Sequence, residues 1–243
     1  MTLLPFAVLR LTLLLIMELV SLKLRILTLL LCILVAVCVN MAKATPIVIK
    51  NASFEKPALA DNNWVYTIED WGIAGSAGVF NPTSAHFSGG NVPDGVQSAY
   101  LNSGLIGQWL DAYLGNNKTY ILKVDVGRRL EQTVDFPGYT LGLLVGNPTN
   151  LREWYYIAQI DTPIIPERGM FETATLSYNS GQNNPYLNWR LGIHLGTKGV
   201  QTNFDNVRME NHNNTPEPGT LILLGSGLFA LAGYRKLRNK RGK

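Results

Sequence analysis

Between residues 45 and 215 the chain alternates with a period of two. Tyr120, Leu122, Val124 and Val126 alternate with Ile121, Lys123 and Asp125, and Trp189, Leu191, Ile193 and Leu195 alternate with Arg190, Gly192 and His194. Successive side chains of a strand point to opposite faces, so this pattern builds half-buried strands. Phe204 and Val207 flank Asp205 and Asn206 in a last strand. Further short candidates are Ile47 to Lys50, Gln97 to Leu101, Ile106 to Leu110, Tyr139 to Val145, Trp154 to Ile160 and Met170 to Tyr178. Turn clusters such as Gly89-Gly90-Asn91 and Gly181-Gln182-Asn183-Asn184-Pro185 separate them. No long 3.6-period segment follows residue 45. About nine short strands with such punctuation predict an all-β sandwich.

The two ends have a different character. Lys23 and Arg25 precede an unbroken apolar run, Ile26 to Val39, and Ala42-Lys43-Ala44 follows. Basic, apolar and small-residue regions in that order make a secretory signal peptide, with cleavage expected after Ala44. The leader is long from Met1, and a start at Met17 gives a more ordinary length. An uncleaved anchor is the alternative. At the other end, Gly219 to Tyr234 is apolar and small, and Arg235, Lys236, Arg238, Lys240, Arg241 and Lys243 follow. As a helix this stretch spans roughly 24 Å, somewhat short for a bilayer core of about 30 Å. Snorkelling of Tyr234, Arg235 and Lys236 makes up the difference. A cationic tail stays cytoplasmic, which puts the central domain outside, in agreement with the leader. The expected organisation is a signal peptide at 1–44, a sandwich domain at 45–210, a polar spacer at 211–215 and a sorting segment at 216–243 with a transmembrane helix at 219–234.

The charge follows this division. The chain carries +4 overall, but six of its 21 basic residues lie in the last nine positions and four in the leader. Eleven remain in the central domain against 15 of the 17 acidic residues, a net charge of −4. Nucleic-acid binding needs a basic patch on the folded domain, and this balance argues against it. Both cysteines, Cys32 and Cys38, fall in the leader. Disulfides, thiolate nucleophiles and cysteine metal sites are therefore excluded from the mature domain.

Pro216-Glu217-Pro218, the apolar run beginning Gly219-Thr220-Leu221, and the Arg/Lys tail occur in order at the C-terminus. This end resembles the PEP-CTERM sorting signal. The resemblance implies an exosortase-type partner that reads Pro216, Glu217 and Pro218, and a route through the inner membrane to the cell surface or an exopolysaccharide matrix. Two prolines keep the tripeptide extended. The central domain is similar to galactose-binding and carbohydrate-binding-module jelly rolls. The matching residues are Asn51-Ala52-Ser53-Phe54-Glu55, Ala99-Tyr100-Leu101, Ile106-Gly107-Gln108-Trp109-Leu110 and Phe204-Asp205-Asn206-Val207. The expected fold is thus a jelly-roll β-sandwich flanked by an N-terminal signal helix and a C-terminal transmembrane helix. The resemblance also implies a structural calcium held by Glu55 and Asp205. Hard oxygen ligands suit that ion, and the alternative is that both residues cap turns or face solvent.

Catalytic chemistry has little sequence support. His86, His194 and His212 have no metal-type partner at i+4, and no nucleophile elbow occurs. His86 is expected in a loop, His212 in the spacer, and His194 at an exposed polar position of a strand. Glu69-Asp70 are adjacent carboxylates on a loop, with nothing that sets them across a sugar. The expectation is a protein that is not an enzyme. Glycan binding is the stronger candidate, through Trp64, Tyr66 and Trp71 in one cluster and Trp154 and Tyr156 in another, because sugar CH faces stack on exposed rings. Strand alternation puts at least one of Trp154-Tyr155-Tyr156 in the core, and Trp189 is also expected there. A structural or adhesive matrix protein, and a secreted glycan-active enzyme, remain as alternatives.

Overall fold

A computed structural model describes residues 17–23, 25–26, 44–132, 135–150, 152–214 and 225–227. The chain divides into two units, 44–214 and the two termini taken together. In the terminal unit, residues 17–23, 25–26 and 225–227 are helical. The sorting tripeptide, both cysteines and most of the expected transmembrane segment lie outside the described residues. Among the described residues no helix is long and apolar enough to cross a membrane.

Residues 44–214 form a jelly-roll β-sandwich of ten strands: β1 (Thr45–Ile47), β2 (Trp64–Val65), β3 (Gly72–Phe80), β4 (Ser98–Tyr113), β5 (Lys118–Arg128), β6 (Tyr139–Gly146), β7 (Trp154–Asp161), β8 (Met170–Asn179), β9 (Arg190–Thr197) and β10 (Thr202–Asn213). All pairings are antiparallel. The hydrogen-bonded order is β7-β6-β9-β4-β10-β5-β8, with β1 beside β10 and β3 between β4 and β2.

β4 joins the two layers. Its residues Ala99 to Leu101 pair with β10, whereas Leu105 to Tyr113 pair with β9. Gly104, at φ +77°, marks the change, and a Cβ there would stand 1.9 Å from the carbonyl oxygen of Ala74. Only glycine permits that close approach at positive φ. From sequence, β4 is expected as two separate strands, Gln97 to Leu101 and Ile106 to Leu110, and Gly104 lies in the gap between them.

The core lies between the layers. Leu141, Leu143, Val145, Leu191, Ile193 and Leu195 face Tyr120, Leu122, Val124, Val126, Phe204 and Met209, all buried. Each fully buried aliphatic or Phe side chain contributes about 1.5–3 kcal/mol, which is why the alternation in β5, β6 and β9 specifies register so strongly. Two opening and closing motifs meet at one place. The bulge between Asp205 and Arg208 turns the Val207 N–H to donate to the Ala52 carbonyl at 3.0 Å. Phe54, fully buried, packs its ring 5.2 Å from that of Trp71.

Several expectations need correction. β3 has no counterpart in the sequence reading, because Gly72-Ile73-Ala74-Gly75-Ser76-Ala77-Gly78 lacks β-branched alternation. β10 runs through most of the expected spacer: His212 pairs with Thr119 and Asn213 with Lys118. Trp189 is half-buried, not fully in the core. Tyr155 is exposed as well, since β7 is an edge strand, and its ring packs on Tyr186 and Trp189, 5.4 and 6.0 Å away between ring centroids.

Candidate functional site

The outer face of β7-β6-β9-β4-β3 carries a groove of about 730 Å³. Its floor combines glycines with the side chain of Trp109. Gly72, Gly107 and Gly192 line it, and Gly142 and Gly146 continue the same face. Trp109, projecting from β4, lays its six-membered ring across two of these glycines. A Cβ on Gly192 would meet Cε3 at 2.7 Å and a Cβ on Gly146 would meet Cη2 at 2.8 Å. The indole is 42% exposed, so much of it remains open to the groove. Trp154 and Tyr156 rise from β7 along one side, their rings edge to face at 5.7 Å.

Beneath Tyr156 lies His194. The Tyr156 hydroxyl and His194 Nδ1 are 2.6 Å apart, and His194 Nε2 is 3.5 Å from Thr140 Oγ1. His194 is only 7% exposed, and burial pushes its pKa down. The expected exposed position is therefore corrected: the ring faces the groove side of β9, but Tyr156 roofs it over. At the other end Gln108 closes the groove. Its amide nitrogen donates to the carbonyls of Lys50 and Asp70, and its oxygen accepts from the Lys50 N–H at 2.9 Å.

The predicted aromatic residues separate. Trp154 and Tyr156 stand on the groove. Trp64 and Tyr66 are exposed but lie elsewhere, rimming a second cleft with Tyr100 and Arg129. Trp71 is a correction: it is 6% exposed, its indole N–H donates to the Asn51 carbonyl at 3.2 Å, and it offers no free face. Trp109, the floor of the groove, was not a site candidate in the sequence, although it sits inside a quoted motif. The sequence signal for it was the run of glycines on the outward positions of β6 and β9. His86 sits in a turn, edge-on to Phe80 at 4.8 Å. Glu69 and Asp70 are exposed.

Glu55 and Asp205 converge on one loop. Glu55 Oε1 accepts the N–H groups of Val96 and Gln97 at 2.9 and 2.8 Å, and Asp205 Oδ2 accepts that of Asp94 at 2.8 Å. Asp205 is fully buried, and its other oxygen takes the Asn206 N–H. Burial first, and then the nearby Asp94 and Asp125 charges, push its pKa to about 8. A buried carboxyl with two further acids nearby is a place where a hard cation would offset like charge. Among the described residues no three acidic or histidine side chains form a ready metal cluster.

Residues 45–210 match the HpiC1 cyclase family. The chain belongs to the HpiC1-like family. A cyclase from Fischerella sp. TAU solved with 4-(1H-indol-3-yl)butan-2-one is similar to the HpiC1-like domain at 28% identity and a TM-score of 0.60, over 71% of this chain and 100% of its own. Another, Fisc, solved with (3Z)-3-(1-methyl-2-pyrrolidinylidene)-3H-indole, matches at 26% identity and a TM-score of 0.61, again over 71% of this chain and 100% of its own. A carbohydrate-binding module solved with beta-1,4-galactotriose overlays at 14% identity and a TM-score of 0.41, over 68% of this chain and 98% of its own. Comparison with curated proteins found no match. Residues 214–236 match the PEP-CTERM protein-sorting motif. The HpiC1-like domain is therefore carried by an exported, surface-directed protein.

Proposed function

We propose that this is a non-catalytic surface protein that holds polysaccharide in the groove over Trp109. The observation that carries this reading is the indole laid on a glycine floor, with Trp154 and Tyr156 beside it. A pyranose ring stacks its CH face on the open indole, while Lys50 and Asp70 at the groove end meet its hydroxyls. The sorting motif supports the setting. An exosortase-type enzyme reads Pro216-Glu217-Pro218, and the domain is released toward an exopolysaccharide matrix. Glu55 and Asp205 hold a structural calcium, which ties the loop before β4 to both chain ends of the sandwich. The reading is tested by glycan-array binding of the full chain in mild detergent, with calcium and with chelator. Binding to one or more polysaccharides is expected with calcium present. No binding under either condition overturns it.

The family favours a second reading, in which the same groove takes a flat indole and the hydrogen-bonded Tyr156–His194 pair moves a proton. The probe is 4-(1H-indol-3-yl)butan-2-one, the compound named with a Fischerella relative. Quenching of tryptophan emission that Trp109→Ala abolishes, together with turnover of an indole substrate that His194→Gln abolishes, establishes this reading over the first. No quenching and no turnover exclude it.

A further inference from the structure

A second cleft, of about 160 Å³, opens among Trp64, Tyr66, Tyr100, Asn102, Arg129 and Gln201. It is lined by β2, by β4 and by the residues that follow β5 and precede β10. Its volume suits one sugar ring and not a chain segment.

Its chemistry is unusual for a surface dimple. Arg129 is 8% exposed, which is rare for arginine without a full set of partners. The guanidinium lies 4.2 Å above the Phe80 ring, and Nε donates to Asn203 Oδ1 at 3.2 Å. Nη1 reaches Glu131 only at 3.5 Å, and Nη2 has no hydrogen bond among the described residues. A planar donor edge is thus left toward the cleft, a geometry that matches a carboxylate. Asn102 supplies an independent observation. Its Oδ1 is buried and has no hydrogen-bond partner among the described residues. An orphaned buried acceptor is costly and calls for a hydroxyl donor. Trp64 and Tyr66, edge to face at 4.7 Å, stand exposed at the rim.

We propose that this cleft is a subsite for a single uronate residue, its carboxylate on Arg129, a ring hydroxyl on Asn102 Oδ1 and its CH face on Trp64. The subsite extends the glycan reading to acidic polysaccharide, and its residues are separate from those of the groove. The two readings can therefore fail independently.

The test titrates the full chain in detergent with methyl galacturonide and methyl glucuronide, each beside its neutral methyl glycoside, and follows tryptophan emission. At least one acid is expected to bind about tenfold or more tightly than its neutral counterpart, since a charge-assisted pair is at stake. That binding should weaken with added salt. Trp64→Ala removes an exposed ring, and Asn102→Asp sets a carboxylate against the ligand. Each should abolish acid-sugar binding while the melting temperature stays close to that of the wild type. Trp109→Ala should leave acid-sugar binding unchanged, whatever it does to polysaccharide in the groove. Equal affinity for acid and neutral sugars, no measurable binding of either acid, or binding that survives both Trp64→Ala and Asn102→Asp overturns the proposal.

Discussion

Tyr156 on β7 and His194 on β9 hydrogen-bond at 2.6 Å across the whole width of β6. The contact passes over Gly142, where a Cβ would stand 2.8 Å from the Tyr156 ring and 3.2 Å from His194 Nδ1. A glycine in a central strand normally weakens it. Here it opens the space through which two side chains meet.

Gly142→Ala should therefore break this contact. The expected cost is about 1–3 kcal/mol, from overpacking and from leaving a buried imidazole nitrogen without its partner. Urea unfolding of Gly142→Ala and Tyr156→Phe checks it. Tyr156→Phe should cost less than Gly142→Ala, because it removes the hydroxyl without adding bulk.

His194 also sets a pH dependence. Its folded pKa lies below the ordinary 6.5 because burial disfavours the charged ring. The unfolded chain then binds the proton more readily, so this stability is present above pH 6.5 and is lost as pH falls toward the folded value. The urea midpoint of the wild type should drop between roughly pH 7 and 5 by more than that of His194→Gln.

Asp125 behaves in the acid range. Burial raises its pKa, but hydrogen bonds from Arg208, Thr173 and Asn206 outweigh this and hold it below 3.8. Arg208 meets its two oxygens at 3.1 and 3.0 Å. Its contribution is present above pH 3.8 and lost as pH falls below that. Arg208→Met should destabilise by about 2–3 kcal/mol at neutral pH, less than for a fully buried pair because Arg208 is partly exposed. Chemical denaturation at pH 7 checks the value, and Asp125→Asn should blunt the acid-range loss.

Calcium should raise the melting temperature of the wild type by a few degrees, with chelator reversing the gain. Glu55→Gln and Asp205→Asn should each abolish the shift. A shift retained in Asp205→Asn would leave no role for the carboxyl in holding the ion.

The alternation of apolar side chains is what made β5, β8 and β9 legible from sequence, since each buried face had to repeat every second residue. The groove was not legible in the same way. Its floor is written in glycines, which read as turns or weak strands, and its wall depends on strands that pair far apart in sequence. The sequence offers Trp154 and Tyr156 as glycan-binding candidates, with at least one of Trp154-Tyr155-Tyr156 expected in the core, whereas Trp109 sits inside a motif read for fold. Trp71 misled because a tryptophan in a loop looks the same in sequence whether its indole packs on Phe54 or faces solvent. Glu55 and Asp205 were paired from a resemblance, and the folded chain brings both to the loop at 94–97.

The central claim is that Trp109 on its glycine floor is the sugar platform. Glycan-array binding of wild type beside Trp109→Ala, at matched concentration and with calcium present, tests it most directly. The account predicts polysaccharide binding by the wild type and its loss in Trp109→Ala, with the fold retained. Undiminished binding by Trp109→Ala would contradict it.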